Sequence, residues 1–172
     1  WGVGLPWQTS RRGLSGFVND SDNAPGRFNL MDYHGATVIA DYGHNPDAIA
    51  ALVQAVDNMP AKKRVVVISG AGDRRDQDIR DQTQILGKAF DDVLLYQDAC
   101  QRGREDGEVL ALLREGLQGA LRTTHVQDIQ GEFNAIDIAL ARLSPGDLCL
   151  ILIDQVEEAL AYITEKVKAC GV

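Results

Sequence analysis

The feature that most constrains the fold of this 172-residue chain is a regular alternation between short apolar runs and longer segments with helical spacing. The runs 65–68 and 148–153 contain only apolar side chains, which is typical of strands covered on both faces by helices. Between such runs, apolar residues recur three or four positions apart, as at Ile49, Leu52 and Val56, and so share one face of a helix. The alternation predicts an α/β domain built around a mainly parallel sheet.

The predicted elements begin with a β-hairpin and continue as a helix–strand repeat. The hairpin joins 28–33 to 36–40 through His34-Gly35, and His34 is expected to be an exposed turn residue. His125, at the end of the predicted strand 121–126, is expected to be structural or to lie at the rim of the sheet. The order predicts a Rossmann-like three-layer sandwich of about six mainly parallel strands with helices on both faces. The helices are predicted at 46–58, 77–90, 106–118, 132–141 and 156–169, and the remaining strands at 64–69, 92–96, 121–126 and 147–153.

Charge and composition argue against several classes of function. The net charge of −8 disfavours a nucleic-acid binder, because phosphate contacts need a basic face. The charge suits solubility, with a cationic substrate as the alternative reading. No apolar run approaches the roughly 20 residues that span a bilayer, and no signal peptide opens the chain, so no membrane partner is expected. Cys100, Cys149 and Cys170 match neither a zinc pattern nor a disulfide framework, which predicts no metal site and a cytoplasmic location.

The turn between the apolar run 37–40 and the helix at 46 carries the first candidate site. Asn45 can cap the helix, Pro46 fits its first position and Asp47 suits the positive end of its dipole. Those local preferences do not require Asp41 and His44, which stand at the carboxyl end of a strand, where open α/β sheets bind ligands. The alternative is a capped helix start with incidental polar residues.

Two further loops follow predicted strands and are also candidates. In the segment 69–76, glycines free the backbone to approach a ligand, and Arg74 and Arg75 offer forked donors for carboxylate or phosphate. The alternative is a flexible turn whose arginines pair with Asp73 and Asp76. The segment 98–104 follows the next strand. Glu132 also opens a helix, but the helix dipole alone explains an acidic residue there.

Linked motifs resemble those of Mur-type peptide ligases. The sequence Asp-Tyr-Gly-His-Asn-Pro-Asp at 41–47 is similar to the signature that opens the C-terminal domain of that family, and Pro-Gly-Arg-Phe at 25–28 is similar to the family motif that precedes it. Within the superfamily the later loops are most similar to cyanophycin synthetases, through Gly-Asp-Arg-Arg-Asp at 72–76, Arg-Gly-Arg at 102–104, Gly-Glu-Val at 107–109 and Pro-Gly-Asp-Leu at 145–148. The resemblance covers residues 14–163. Gln97 and Cys100 depart from the family pattern, so a substrate that differs in detail from that of the family is an open alternative.

The resemblance implies a domain of an ATP-dependent ligase that closes over ATP. An amine, here the amino group of arginine, would attack an acyl phosphate of an aspartate-based polymer. Arg27 would reach the nucleotide phosphates, Asp41 the ribose hydroxyls, and His44 and Asn45 the nucleotide edge of the closed cleft. The implied partners are the amino acid, the polymer and a preceding central ATPase domain, with a homo-oligomer left open. The residues expected to bind the amino acid or the acceptor are Asp73, Arg74, Arg75, Asp98, Arg102 and Arg104.

The chain begins at Trp1 without a methionine and contains no Gly-x-x-x-x-Gly-Lys-Ser/Thr phosphate loop. It therefore reads as an excised piece, with 1–25 as the tail of a central domain plus linker and 26–172 as the C-terminal domain. ATP and Mg²⁺ would be held mainly by domains outside it, and no catalytic residue and no activity are expected of the piece alone. The alternatives are a peptidoglycan-precursor or folylpolyglutamate ligase domain, or a non-catalytic nucleotide-binding module.

Overall fold

The structure is a computed structural model that describes residues 24–98 and 102–169. In these ranges six strands and five helices alternate along the chain after an initial hairpin. The strands are β1 (Asn29–Tyr33), β2 (Ala36–Asp41), β3 (Arg64–Ile68), β4 (Asp92–Gln97), β5 (His125–Gln130) and β6 (Leu148–Leu152). The helices are α1 (Pro46–Asp57), α2 (Asp76–Leu86), α3 (Glu108–Gly116), α4 (Glu132–Ala141) and α5 (Val156–Ala169).

The six strands form one sheet in the order β1-β2-β6-β3-β4-β5. Strand β1 pairs with β2 in antiparallel orientation, and every other neighbouring pair is parallel. One apolar cluster lies between the sheet and α1, α2 and α3, and a second lies between the opposite face and α4 and α5. The predicted three-layer α/β sandwich is confirmed.

The position of β6 between β2 and β3 creates the ligand edge. After β2 the chain enters α1 on one face of the sheet, whereas after β6 it enters α5 on the other face. The loops that leave the carboxyl ends of these adjacent strands therefore diverge and open a crevice, which is where open α/β sheets bind ligands. All residues of β3, β4 and β6 are buried, so this edge stands on a rigid base.

The predicted strand at 121–126 is wrong in position, because β5 runs from His125 to Gln130. Leu121 is 88% exposed. Arg122 and Thr123 lie in the loop before β5 and bond to Gly87 and Asp91, which lie in the loop before β4. Strand β5 lies at the edge of the sheet with much of its surface in solvent, so it needs few apolar residues and lacks the signal of a buried strand. His125 consequently opens its strand and lies at the edge opposite to the ligand rim.

Other predicted boundaries differ by a few residues. Helix α2 ends at Leu86 and not at residue 90, because the backbone turns at Gly87 and places Phe90 in the core. Helix α3 is shorter at both ends than predicted. His34 is exposed in the hairpin turn, as expected. Residues 1–23 of the predicted tail and linker at 1–25, the loop residues 99–101 and Cys170 lie outside the described residues.

None of the helices in the described ranges combines the length and the apolar character that crossing a membrane would require.

Helices α2 and α3 are in close contact at Gly116. A Cβ atom at this position would overlap the carbonyl oxygen of Arg80 and the Oγ1 of Thr83. We expect Gly116→Ala to lower the free energy of unfolding by about 1–3 kcal/mol, because overpacking outweighs the better helix propensity of alanine. Urea denaturation of the 172-residue chain, with the exposed Gln118→Ala as control, measures this. An unchanged midpoint for Gly116→Ala would show that the two helices separate at no cost.

Candidate functional site

Residues 24–28 fold against the carboxyl end of β2 and join the two early motifs into one unit. The Tyr42 N–H donates to the Gly26 carbonyl at 2.9 Å, and the Phe28 N–H donates to Asp41 Oδ2 at 2.7 Å. The Gly26 N–H donates to Asn29 Oδ1 at 2.7 Å. Phe28 has a φ of 49°, which a bulky residue adopts only when its surroundings hold it there. The bond to Asp41 is one such restraint, so the loop and the strand end are mutually fixed.

Asp41 is the last residue of β2 and is 8% exposed. Burial raises the pKa of its carboxyl group, while the Phe28 and Gly43 N–H groups and the Arg27 cation act in the opposite direction. Arg27 is exposed beside it and makes no hydrogen bond through its guanidinium to any described residue. The structure therefore brings these two predicted nucleotide residues together at the rim.

His44 is buried at the same rim with its imidazole nitrogens unpaired. Its side chain is 7% exposed, and neither Nδ1 nor Nε2 has a hydrogen-bond partner among the described residues. Its ring lies 4.6 Å from the Tyr42 ring, centroid to centroid. A side chain at position 43 would crowd the same rim, since a Cβ there would lie 2.9 Å from Leu52 Cδ1 and 3.1 Å from Asp41 Oδ1.

The electrostatic surroundings keep His44 neutral. Burial is the main cause of a lowered pKa, and the Arg102 and Arg74 cations lower it further, whereas the Tyr42 backbone and the Asp154 carboxylate raise it. A neutral imidazole has one donor and one acceptor nitrogen. His44 can therefore accept a hydrogen bond and donate another to a ligand in the crevice.

Asp154 connects this rim to the loop after β4. Its Oδ1 lies 3.7 Å from His44 Nε2 and 3.2 Å from Arg102 Nη2. The other arm of Arg102 lies 3.4 Å from Asp73 Oδ1. Asp73 and Arg102, both predicted substrate residues, are thus linked to His44 through the Asp154 carboxylate.

A second opening, the α1–α2 cleft, lies beside the rim and holds the double arginine. Its volume is about 530 Å³. Asn45 stands at its edge and caps α1, since its Oδ1 accepts the Ala48 N–H at 2.8 Å. The cleft is lined by Asn45, Pro46, Asp47, Arg74, Arg75, Asp78 and Asp81.

The two arginines of this cleft differ in their contacts. Arg75 is 84% exposed and forms a two-armed pair with Asp78, at 2.9 Å from Nε and 2.7 Å from Nη2. Arg74 makes no side-chain hydrogen bond or ion pair with any residue in the described ranges. The expected surface alternative, pairing with Asp73 and Asp76, is not what the structure shows, because those carboxylates contact Arg102 and Arg104. Of the two neighbouring arginines, Arg74 is therefore the one whose guanidinium is available to a ligand.

Arg104 is engaged by the protein itself. Its Nε and Nη2 each donate at 2.7 Å to a backbone carbonyl, those of Gly72 and Arg74. Nη2 also donates to Asp76 at 2.8 Å and Nη1 to Glu108 at 2.6 Å. These four bonds use most of the guanidinium's donors, so Arg104 holds the loop 72–74 in place.

Asp98, the remaining predicted substrate residue, contacts the start of α4. Its Oδ1 accepts the Glu132 N–H at 3.2 Å. Glu132 is fully buried, and its carboxylate accepts the Asp154 N–H at 2.8 Å and the Gln155 N–H at 3.1 Å. Burial is the main cause that raises the pKa of this carboxyl group.

Sequence reasoning missed two of these residues. Asp154 directly follows the apolar run 148–153, so the rule that selected the other loops would have found it. The helix dipole alone explains an acidic residue at Glu132, and nothing local in the sequence indicates that its carboxylate reaches the turn before α5.

Among residues 24–98 and 102–169, no group of three or more His, Cys, Asp or Glu side chains is arranged to hold a metal ion.

Comparison with known families matches residues 26–152 to the model of the Mur ligase family described as "Mur ligase, glutamate ligase domain". The chain is 32% identical over 160 residues to the cyanophycin synthetase of Geminocystis herdmanii, which covers 93% of this chain and 18% of that protein. It is 29% identical over 139 residues to the UDP-N-acetylmuramoyl-L-alanyl-D-glutamate–2,6-diaminopimelate ligase of Geobacillus kaustophilus, which covers 80% of this chain and 28% of that protein. The chain thus spans less than a third of these relatives.

Solved structures share the fold. A Mycobacterium tuberculosis folylpolyglutamate synthase complexed with ADP superposes with a TM-score of 0.69 at 23% identity, over 95% of this chain and 36% of that one. A UDP-N-acetylmuramoyl-L-alanyl-D-glutamate–2,6-diaminopimelate ligase gives a TM-score of 0.70 at 18% identity, over 97% of this chain and 35% of that one.

Proposed function

This chain belongs to the Mur ligase family as its glutamate ligase domain, and from that premise we propose that it is the C-terminal domain of an ATP-dependent amide ligase of the cyanophycin synthetase type. In this proposal the domain closes over ATP held by a preceding central ATPase domain. It then positions the amino group of arginine to attack an acyl phosphate of an aspartate-based polymer. The similarity to cyanophycin synthetases over 93% of the chain supports this choice of substrates.

The observation that carries the proposal is the junction at the end of β2. Asp41 receives the Phe28 N–H there, with Arg27 beside it, and the unpaired imidazole of His44 is buried three residues further on. A buried imidazole without partners costs stability, and a ligand that bonds to it would offset that cost. We propose that Arg27 contacts the nucleotide phosphates, Asp41 the ribose hydroxyls, and His44 and Asn45 the nucleotide edge.

ATP would supply the phosphoryl group that activates the carboxylate. The contribution of this domain is positioning and charge, because phosphoryl transfer gives a protein little covalent work. In this proposal Mg²⁺, like ATP, is held mainly by the preceding domain.

The incoming substrates would use the second opening. In the α1–α2 cleft Arg74 can bind a carboxylate or an acyl phosphate through two parallel N–H groups, while Asp73 and Arg102 link the cleft to His44. Arg104 contributes by holding the loop that carries Arg74. Asp98, through α4, is proposed to shape the same region.

A non-catalytic nucleotide-binding module is the second candidate. The absence of a phosphate loop from the 172-residue sequence and the engagement of Arg75 and Arg104 by protein groups favour it. A peptidoglycan-precursor or folylpolyglutamate ligase domain is a third, supported by the diaminopimelate ligase match and by the shared fold.

The test compares this chain with a full-length protein that carries a phosphate loop upstream, which we propose to be a cytoplasmic enzyme. We expect the 172-residue chain alone to neither hydrolyse ATP nor form isopeptide bonds, because its sequence holds no phosphate loop. The full-length protein is expected to release phosphate only when both arginine and poly-aspartate are present. ATP-dependent ligation by the purified chain alone would contradict the division of labour, and a full-length protein that binds ATP without turnover would favour the non-catalytic module.

A further inference from the structure

The carboxylate of the fully buried Glu132 reaches from the start of α4 to the turn that precedes α5. Glu132 is the first residue of α4, yet its Oε1 accepts the Asp154 N–H at 2.8 Å and its Oε2 accepts the Gln155 N–H at 3.1 Å. Oε2 also lies 3.3 Å from the Gln155 side-chain nitrogen. An acidic residue that only complements the helix dipole can remain exposed to solvent. The burial of Glu132 and its bonds to two backbone N–H groups therefore indicate a further structural role.

The two backbone groups that Glu132 holds belong to the turn between β6 and α5. That turn carries the Asp154 carboxylate, whose Oδ1 stands between His44 Nε2 at 3.7 Å and Arg102 Nη2 at 3.2 Å. The side chain of Asp154 is 34% exposed, and Arg102 donates to its Oδ1. Its placement depends on this ion pair and on the backbone turn that Glu132 fixes.

Glu132 is itself held from the other side. Its N–H donates to Asp98 Oδ1 at 3.2 Å, at the end of β4. The Tyr96 hydroxyl donates to the Leu152 carbonyl at 3.2 Å, and Tyr96 is 1% exposed. Burial, and next the nearby Glu132 charge, raise the pKa of Tyr96. The result is a continuous chain of contacts from the carboxyl end of β4 through Glu132 to Asp154 and His44.

We propose that Glu132 is a positioning residue that acts through Asp154: it fixes the turn before α5 so that the Asp154 carboxylate faces both His44 and Arg102. The imidazole of His44 is then held in the orientation and protonation state in which it meets a ligand. The role of His44 toward a nucleotide rests on the proposed function, whereas the control of Asp154 and His44 by Glu132 does not.

The first measurement is the pH titration of the His44 imidazole by NMR in the 172-residue chain. The charged groups that face this ring are Asp154, Arg102, Arg74 and Asp41. Asp154 raises the pKa of His44, so a displaced Asp154 lowers it. We expect Glu132→Gln to lower the His44 pKa, as Asp154→Asn does, because the amide can no longer accept both N–H groups.

A double variant separates positioning from a direct effect of charge. If Glu132 acts through Asp154, then Glu132→Gln adds nothing to Asp154→Asn, whereas two independent charge effects would add. Glu158→Gln is the matched control, since it removes an exposed carboxylate from the first turn of α5, the helix that follows Asp154. It is expected to leave the His44 titration unchanged.

Glu132→Asp covers the case in which the glutamine variant does not fold. It keeps the charge, but its side chain is too short to reach both N–H groups, so the His44 pKa is again expected to fall. A lower melting temperature with an unchanged His44 titration in both Glu132 variants would overturn the proposal, and so would additive shifts in the double variant.

The second measurement is ADP affinity in the full-length protein, where Glu132→Gln is expected to weaken binding about tenfold, the loss of roughly one hydrogen bond. A His44 pKa shift with unchanged ADP affinity supports the positioning role and counts against the proposed nucleotide contact of His44. Weaker ADP binding without a pKa shift counts against Glu132 acting through Asp154.

Discussion

Replacing His44 by leucine in the full-length protein is expected to reduce kcat/KM for ATP about 10- to 100-fold without lowering the melting temperature. The buried imidazole has no hydrogen-bond partner among the described residues, so an apolar side chain of similar size removes an unsatisfied polar group and keeps the packing. A ligand that bonds to the ring loses about 1.5–3 kcal/mol when the ring is absent. Steady-state kinetics beside thermal melts measure both effects.

The pH dependence of stability gives an independent check on the same variant. The pKa of His44 is lowered in the folded protein, so the unfolded chain binds a proton first, below its ordinary pKa of about 6.5. The contribution of the neutral His44 ring to the free energy of unfolding is therefore fully present above about pH 6.5 and decreases as the pH falls below that value. The wild type is therefore expected to lose more unfolding free energy than His44→Leu between pH 7 and pH 5. Equal losses of stability and activity in the variant would favour the simple capped-turn interpretation of residues 41–47.

Arg74→Lys is expected to lower kcat/KM about 10- to 100-fold, with folding unchanged. Arg74 lines the α1–α2 cleft and makes no ion pair with a described residue, so its planar fork is available to a carboxylate or acyl phosphate. Lysine keeps the charge and loses the two parallel donors, and the two residues are not interchangeable at such a site. A KM effect confined to the polymer would assign Arg74 to the acceptor, and a kcat effect would place it near the transferring phosphoryl group.

The chain offers its own control in Arg75→Lys. Arg75 is the neighbouring residue in the same cleft, but its guanidinium pairs with Asp78 and is mostly exposed. Exposed ion pairs contribute little, so Arg75→Lys is expected to give kinetics close to those of the wild type. If Arg74→Lys also has wild-type kinetics, neither arginine belongs to the site. If both variants lose the same activity, the Arg75–Asp78 pair opens in the ligand complex.

The buried part of the fold was predictable because its signals are local. The apolar run 65–68 marks a strand wherever it stands, and the Asn45-Pro46 pair starts a helix by its own chemistry. Strand β5 escaped the same rule, because an edge strand such as His125–Gln130 needs no apolar run. The error at Leu121 follows from treating an edge strand as a central one.

The sequence by itself determined the α/β class, the family and the loops that end at the ligand rim, since periodicity, turn chemistry and linked motifs are properties of neighbouring residues. Only the tertiary structure decided which side chains in those loops are engaged. Insertion of β6 between β2 and β3 brings Asp154 to His44, and the contact of α2 with the loop 102–107 turns Arg104 into an anchor for Gly72. These pairings join residues that lie from about 30 to more than 100 positions apart. The packing of the sheet and helices determines which of these distant residues meet, and no local pattern in the sequence encodes that packing.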